Sequence, residues 1–449
     1  MKTIYHTFLA LVLAVSSAGA ELGLKKALDM GLEGSELLKM YESKKESASQ
    51  SLKEVKWSGL GSLNLKSAYT RGDEPVYAFA ETMRQGDFSM ASMATINNPS
   101  SVENFELGVE AGVPLFTGFK LANYRKMAEA GLKANVYAYD RAKAGVSFQV
   151  VYQYLTVLLR KQMLAAAEKA VESSKKELET AARLKESGMA LGSDYYAALA
   201  IHAGLENYRS VWGNELETEK MKLKILLNAG GESLPEPKGF LSENDYALPP
   251  VEELLAEALK SRLDLRAWAE SEKIAALKVS LEKNSLLPQI DAFGSFSGNT
   301  GSLDKMRTSG IYGIKMNVPI GDPGYSARLA RTRSDLKSAG DEVNYRKKNV
   351  ETELRQAYAG YVSARGSAGI SRDMRDKAAL SLELFMPLYR QGRQSIIEVL
   401  RAEAALLEAE AAYLEAVYKT HLYYARTMLE SEKISGETLA PVAAALGAE

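Results

Sequence analysis

The stretch GVEAGVPLFTG, Gly108 to Gly118, ends a run of alternating apolar and polar residues and opens onto a long Ala- and charge-rich segment. GIKMNVPIG, Gly313 to Gly321, does the same about two hundred residues later. A strand-to-helix junction written twice points to a duplicated unit, because the spacing is far too long for a solenoid repeat. The flanking sequence pairs in the same way. Val146, Val150 and Tyr154 fall over Val350, Leu354 and Tyr358; Glu186 to Ala200 align with Arg390 to Ala404; and Tyr41 to Glu54 match Glu270 to Lys283. Each half reads helix–strand–loop–strand–helix–turn–helix.

The helical segments are very long. No proline falls between Pro114 and Pro235, and Val146, Val150, Tyr154 and Leu158 recur at the i, i+4 spacing of one helix face. The pattern predicts helices over about 119–187 and 324–391, each roughly 100 Å long at about 1.5 Å per residue. Frequent alanines, such as Ala128, Ala130, Ala134 and Ala138, let neighbouring helices approach closely. Gly188 and Gly392 sit where a helix C-terminus wants glycine. Ser193, Asp194 and Ser395 then stand at N-cap positions, so return helices are expected over about 194–228 and 395–430. Pro387 should loosen the end of the second long helix.

Four stretches alternate with period two: about 55–69, 103–117, 288–298 and 309–320. The first places Val55, Trp57, Leu63, Leu65 and Tyr69 opposite Lys56, Ser58, Ser62, Asn64 and Lys66. The second places Phe105, Leu107, Val109, Ala111, Val113 and Leu115 opposite Glu106 and Glu110. Ile290, Ala292, Gly294 and Phe296 form a third face, and Tyr312, Ile314, Met316, Val318 and Ile320 a fourth. Each is long enough for a membrane strand of roughly 9–11 residues, apolar side out. Trp57, Tyr69, Phe105, Phe116, Phe296 and Tyr312 are candidates for interfacial girdles. A half-buried sheet of a soluble protein alternates in the same way, and the helices alone fit a coiled-coil scaffold. If the strands do span a membrane, four cannot close a barrel, and copies of the chain must join.

Composition narrows the function. The chain has 449 residues, a net charge of −1 and no cysteine, which leaves no disulfide, thiolate or lipidated N-terminal Cys, and no reason to expect nucleic acid. No nucleotide-binding, nucleophile-elbow or metalloprotease motif appears, so no enzyme, cofactor or metal site is expected. His202 and His421 read as surface residues, and the three methionines of the polar segment Arg71 to Val102 (Met83, Met90 and Met93) as part of an ordinary loop. The first twenty residues, with Lys2, an apolar core and Ala18-x-Ala20, predict a secretion signal cut between Ala20 and Glu21. No later stretch is apolar enough for a spanning helix.

The order of elements, the two VP junctions, the paired helix-turn tips and the duplication together resemble the TolC-type outer membrane efflux protein family across about Glu21 to Glu430. The resemblance implies a mainly α chain with membrane β: a homotrimer with a 12-stranded β-barrel in the outer membrane of a Gram-negative cell, continuous with a periplasmic α-helical barrel. Residues 21–228 and 251–430 would be the two structural repeats. Residues 229–250 would be a linker or equatorial segment and 431–449 a C-terminal tail. The implied function is passive export from an inner-membrane transporter and a periplasmic adaptor (membrane fusion protein), for small-molecule efflux or type I secretion. The adaptor would dock at Gly188, Met189, Ala190 and Leu191, and at Gly392, Arg393, Gln394 and Ser395. The gate would involve Asp194, Tyr389, Glu398 and Arg401. The basic Arg401 departs from the family's acidic pore lining and instead suits an ion pair with Glu398. Asp194 as an N-cap, and Glu398 as a first-turn carboxylate favoured by the helix dipole, are the plainer readings of those two residues. A secreted coiled-coil scaffold or adhesin without a barrel is the alternative from another class.

Overall fold

The computed structural model describes residues 21–188, 191–230, 235–302, 305–391 and 393–448. The expected signal segment, including Ala20, lies outside them, as do Met189, Ala190 and Gly392 of the expected tips. The first half runs α1 (Leu24–Gly34), α2 (Glu36–Ser58), β1 (Ser62–Gly72), α3 (Pro75–Gln85), β2 (Val102–Phe116), α4 (Lys120–Glu186) and α5 (Gly192–Leu226). The second runs α6 (Val251–Ser261), α7 (Leu263–Lys283), β3 (Gln289–Thr300), β4 (Arg307–Asn317), α8 (Tyr325–Arg390) and α9 (Ile396–Glu430), and α10 (Gly436–Leu446) follows. No helix of the described residues is long and apolar enough to cross a membrane.

Packing divides the chain into two units. One joins the two ends of the chain to Asp140–Arg262; the other holds Met40–Tyr139 and Leu263–Arg346. The first unit is helical. Its core contains Val150, Tyr154 and Leu158 of α4, which are wholly buried, with Val146 nearly so. In α8 the buried row is Val350, Leu354, Ala357 and Tyr361, whereas Tyr358 is only half-buried, so the duplicated tyrosine sits one turn further along than the alignment suggests. Both tyrosines pin the segment between the halves. The Tyr154 hydroxyl donates to the carbonyls of Leu22 and Lys238 at 2.8 and 2.6 Å, and the Tyr361 hydroxyl donates to that of Tyr246 at 2.8 Å. Backbone bonds from Leu22 to Glu236 and from Phe240 to Leu446 complete the tie. Gly239, at φ +100°, lies where a Cβ would fall 2.2 Å from the Leu446 carbonyl oxygen, so only glycine lets the segment pass there. From the expected linker and tail, Leu241, Tyr246, Leu439, Val442 and Leu446 thus join this core.

His421 is not a surface residue. It is fully buried, with Nδ1 2.5 Å from the Tyr246 hydroxyl and Nε2 2.9 Å from the Ser242 carbonyl, and burial pulls its pKa down to about 4, so the ring is neutral at pH 7. His202 is partly covered, its Nδ1 2.7 Å from the buried Ser174 hydroxyl. Ring size and partial polarity let histidine fill a core where a partner exists, which periodicity alone does not reveal.

The second unit carries one antiparallel sheet of order β1-β2-β3-β4, in which the β2–β3 pairing joins the two copies. Two expected boundaries shift. Val55 and Trp57 belong to α2, because the helix runs on to Ser58 and the chain turns only at Gly61, φ +91°, where a Cβ would fall 2.1 Å from the Gly112 carbonyl oxygen. At the other end, β4 stops at Asn317, before Pro319, which has no N–H to give a ladder; Val318 and Ile320 therefore lie beyond the strand. Pro114 causes a different effect. The register steps from Pro114–Asp291 to Phe116–Ile290, so Leu115 is a bulge and Phe116 takes its place in the apolar row.

Candidate functional site

Residues directly opposite in an antiparallel pair share a sheet face. The register therefore decides whether the four apolar strand faces agree. Leu65 opposes Val109, which opposes Phe296, which opposes Gly310. One row on, Leu63, Ala111, Gly294 and Tyr312 align, and then Val113, Ala292 and Ile314. All four apolar sets fall on one face. Its side chains are open: Leu63, Leu65, Tyr312 and Ile314 are each at least 70% exposed. The opposite face carries Asn64, Lys66, Glu106, Glu110, Ser295, Ser297, Ser309 and Lys315, with Lys66 paired to Glu106 at 3.6 Å. Tyr69 and Phe105 stand at one end of the apolar face and Phe116 at the other, but Phe296 lies mid-sheet. Among the described residues, β1 and β4 each have one edge without a partner.

The helical tips lie in the other unit. At the first, Gly188 takes a left-handed φ of +76° after α4, and Leu191 is exposed. The N-cap of α5 is Leu191, with no side-chain hydrogen bond, so Asp194 is not the cap but sits inside the first turn. Its carboxylate accepts from the Ser193 hydroxyl at 3.3 Å, and its charge faces the positive end of the helix dipole. Lys185 lies over the rings of Tyr195 and Tyr196 at 4.6 and 4.9 Å. At the second tip Ser395 is a true N-cap, its hydroxyl accepting from the Ile397 N–H at 3.2 Å. Arg393 closes the end of α8 by donating to the Leu388 carbonyl. Pro387 stays within α8, and Gln391 N–H still reaches its carbonyl.

Glu398 and Arg401 pair at 3.2 Å with both side chains largely in solvent. Asp194 and Glu398 occupy equivalent first-turn positions in the two return helices. Tyr389 is buried in a small cluster that gathers Leu178 and Ala181 of α4, Ala198 of α5, and Ile396, Val399 and Leu400 of α9. Its hydroxyl has no partner among the described residues, and burial, with Glu177 nearby, raises its pKa. The fold thus brings Tyr389 against the roots of both return helices, while Asp194 and the Glu398–Arg401 pair face outward.

Sequence reasoning missed Glu403. It is 5% exposed on α9 and helps line a cavity of about 620 Å³ with Gln162, Lys169, Ser173 and Glu410. Burial lifts its pKa to about 7 against a hydrogen bond from Ser173. The signal existed, since Glu403 interrupts an Ala- and Leu-rich stretch, but a single acid on a helix usually faces water. Among the described residues, no group of three or more His, Cys, Asp and Glu is gathered closely enough to hold a metal.

Comparison with known proteins agrees with this geometry. The family model described as outer membrane efflux protein matches residues 38–200 and 254–426, one segment in each half. The outer membrane efflux protein BepC of Brucella suis is 22% identical over 323 residues, covering 69% of this chain and 68% of that protein. The cation efflux system protein CusC of Escherichia coli is 22% identical over 331 residues, covering 72% and 71%. Among solved structures, the CmeC outer membrane channel of Campylobacter jejuni superposes with a TM-score of 0.80 at 16% identity, covering 100% of this chain and 98% of that one.

Proposed function

The chain belongs to the outer membrane efflux protein family, and from that premise we propose that it is the outer-membrane exit duct of a tripartite efflux or type I secretion system. The observation that carries the reading is the sheet register. A sheet whose four apolar strand sets share one face, with Asn64, Lys66, Glu106, Glu110, Ser295, Ser297 and Lys315 beside Phe293 and Ile311 on the other, suits lipid outside and water inside. Its two unpaired edges cannot stay open in lipid, where every unsatisfied backbone group costs several kcal/mol. Three copies, each adding four strands, close a twelve-stranded barrel. The exposed apolar residues of the helices, Val211 and Ile225 on α5 and Val362 and Ile370 on α8, are natural contacts between copies.

Conduction in such a duct is passive. The lumen selects by width and charge, and the energy comes from an inner-membrane transporter coupled through a periplasmic adaptor. The adaptor would meet the tips at Gly188 to Leu191 and Gly392 to Ser395. We assign the closed state to groups near those tips. Tyr389 braces the return helices, Asp194 and Glu398 place a carboxylate at each first turn, and Arg401 holds Glu398 within its own subunit. An adaptor that breaks these contacts would let the tips part, and loss of either carboxylate would loosen the closed state in the same way.

Single-channel conductance in planar bilayers tests the reading. The parent should give small, steady channels, and Glu398→Ala and Asp194→Ala should give larger or more frequent openings. Channels unaltered by either substitution would discard these gate residues while keeping the duct. A protein that stays soluble and never inserts would discard the duct itself.

A further inference from the structure

The two connections at the sheet end away from the long helices differ in kind. β3 and β4 are joined by residues 301–306, but β1 and β2 by residues 73–101, which hold a well-finished helix. Glu74 caps α3 by accepting from the backbone N–H groups of Val76 and Tyr77, Pro75 follows at its first turn, and Gly86 at φ +75° ends it, its N–H donating to the Met83 carbonyl and that of Asp87 to the Thr82 carbonyl. Such a helix has a defined place, and its contacts show where. The Tyr77 hydroxyl donates to Thr70 Oγ1 at 2.8 Å, Gln85 Nε2 donates to Asn104 Oδ1 at 3.0 Å, and Gly86 packs beside the Arg307 side chain. Thr70, Asn104 and Arg307 come from three strands and share one parity, that of Lys66, Glu106 and Ser297. α3 therefore lies across the polar face.

The contact rests on a buried amide pair. Asn104 and Asn299 are 2% and 1% exposed, and Asn104 Nδ2 donates to Asn299 Oδ1 at 2.9 Å. Gln85 also donates to the Glu103 carbonyl at 2.6 Å, so its amide stitches α3 to the strand backbone and to the buried amide pair together. Buried amides of this kind fix one geometry, because any other leaves polar groups unpaired.

We propose that α3 is a fixed insert at the outer mouth of the lumen, and that it sets the largest solute able to pass. This rests on the barrel reading, which makes the polar face the lumen wall. A helix with its side chains is about 10–12 Å across. Twelve strands lie between the side-chain-filled eight-stranded barrel and the open sixteen-stranded one, so three such helices would take up much of the bore.

The absence of native cysteine makes the test direct. Ser295→Cys places a thiol on the polar face below α3, and Leu65→Cys places one on the apolar face. Intact cells are treated from outside with a small sulfonated maleimide and with poly(ethylene glycol) maleimides of rising mass. Ser295→Cys should accept the small reagent and resist the bulky ones. Replacing residues 73–101 with a short turn should speed bulky labelling by roughly an order of magnitude, since bore width is then the limit. Gln85→Ala combined with Tyr77→Phe keeps the segment but unpins it, should give the same trend, and decides the matter if the shortened chain does not fold. Bulky labelling of Ser295→Cys with α3 intact as fast as in both altered chains would overturn the insert. Leu65→Cys reacting with the small reagent as fast as Ser295→Cys would instead overturn the barrel, and the insert with it.

Discussion

The two return helices α5 and α9 begin and end at one constant offset, yet they occupy opposite environments. Along α9, Leu400, Leu407, Leu414, Val417, Tyr424 and Met428 are buried; along α5 burial is confined to Ala198, Leu205, Trp212, Leu216 and Leu223. Equivalent positions show the divergence: Met221 is exposed where Ala425 is buried, and Ile225 is 73% exposed where Leu429 is 9% exposed. The end of α9 is also anchored by charge. Glu430 meets Arg141 and Arg262 at 3.2 and 3.0 Å, and Arg262 is itself 3% exposed. Duplication thus supplied two equal rods, and one became a core element while the other kept an open apolar row. In the proposed ring of copies, α9 would be the rod that holds its own subunit together and α5 the one that faces a neighbour.

The strongest way to break this comparison is to truncate the matched pair. Leu429→Ala should lower the stability of the subunit by about 2–5 kcal/mol, the usual loss for a buried leucine with its cavity. Ile225→Ala should leave it within about 0.5 kcal/mol, as for an open position, and show its effect only as a smaller fraction of assembled oligomer on native gels. Thermal unfolding in detergent reads the first effect. Equal losses in subunit stability would mean that α5 is as much a core helix as α9.

Glu403 sharpens the comparison through pH. Its counterpart on α5 is the half-open Leu199, so only the α9 copy carries a buried acid. Burial raises its folded pKa from the ordinary 4.5 to about 7, so the fold favours the protonated acid. The protein then binds more protons folded than unfolded between those values, and stability falls as pH rises through that window. Glu403→Gln removes the loss. The variant should match the parent near pH 4 and exceed it at pH 8 by on the order of 3 kcal/mol. A constant difference at both pH values would show that the gain comes from packing, not from the proton.

Much of this was legible in the sequence because its signals are periodic or punctual. The row Val150, Tyr154 and Leu158 declares a helix face, and the alternation from Leu63 to Tyr69 declares a strand face. Gly188 and Ser395 mark ends that the structure keeps. What was hidden depends on partners distant in the chain. Val55 and Trp57 alternate as a strand would, but the phase of a short run does not reveal that α2 continues through it. The segment Arg71 to Val102 looks like a loop because its helix is short, and part of the surface it packs on, Arg307 beside Gly86, lies more than two hundred residues away. His421 and Glu403 are polar residues whose surroundings, Tyr246 for the first and Gln162, Lys169 and Ser173 for the second, come from other parts of the chain and not from their own neighbours in sequence.

The tips offer the finest contrast. Asp194 and Glu398 hold equivalent places, but among the described residues only the second tip has a side-chain cap, since Ser395 accepts from Ile397 N–H whereas the Ser193 hydroxyl is turned toward Asp194. Ser395→Ala should therefore cost about 1 kcal/mol, the usual worth of an N-cap, and hydrogen exchange should show the first amides of α9 opening faster. Ser193→Ala should leave the first amides of α5 as they were, because that hydroxyl satisfies no helix N–H. Equal acceleration at both tips would mean that Ser193 swings to cap α5 in solution, and the two tips would then be alike. If only α9 responds, the second tip is held ready and the first is looser. An adaptor docking on both would then have to order the first tip, making its affinity more sensitive to substitutions near Leu191 than near Arg393.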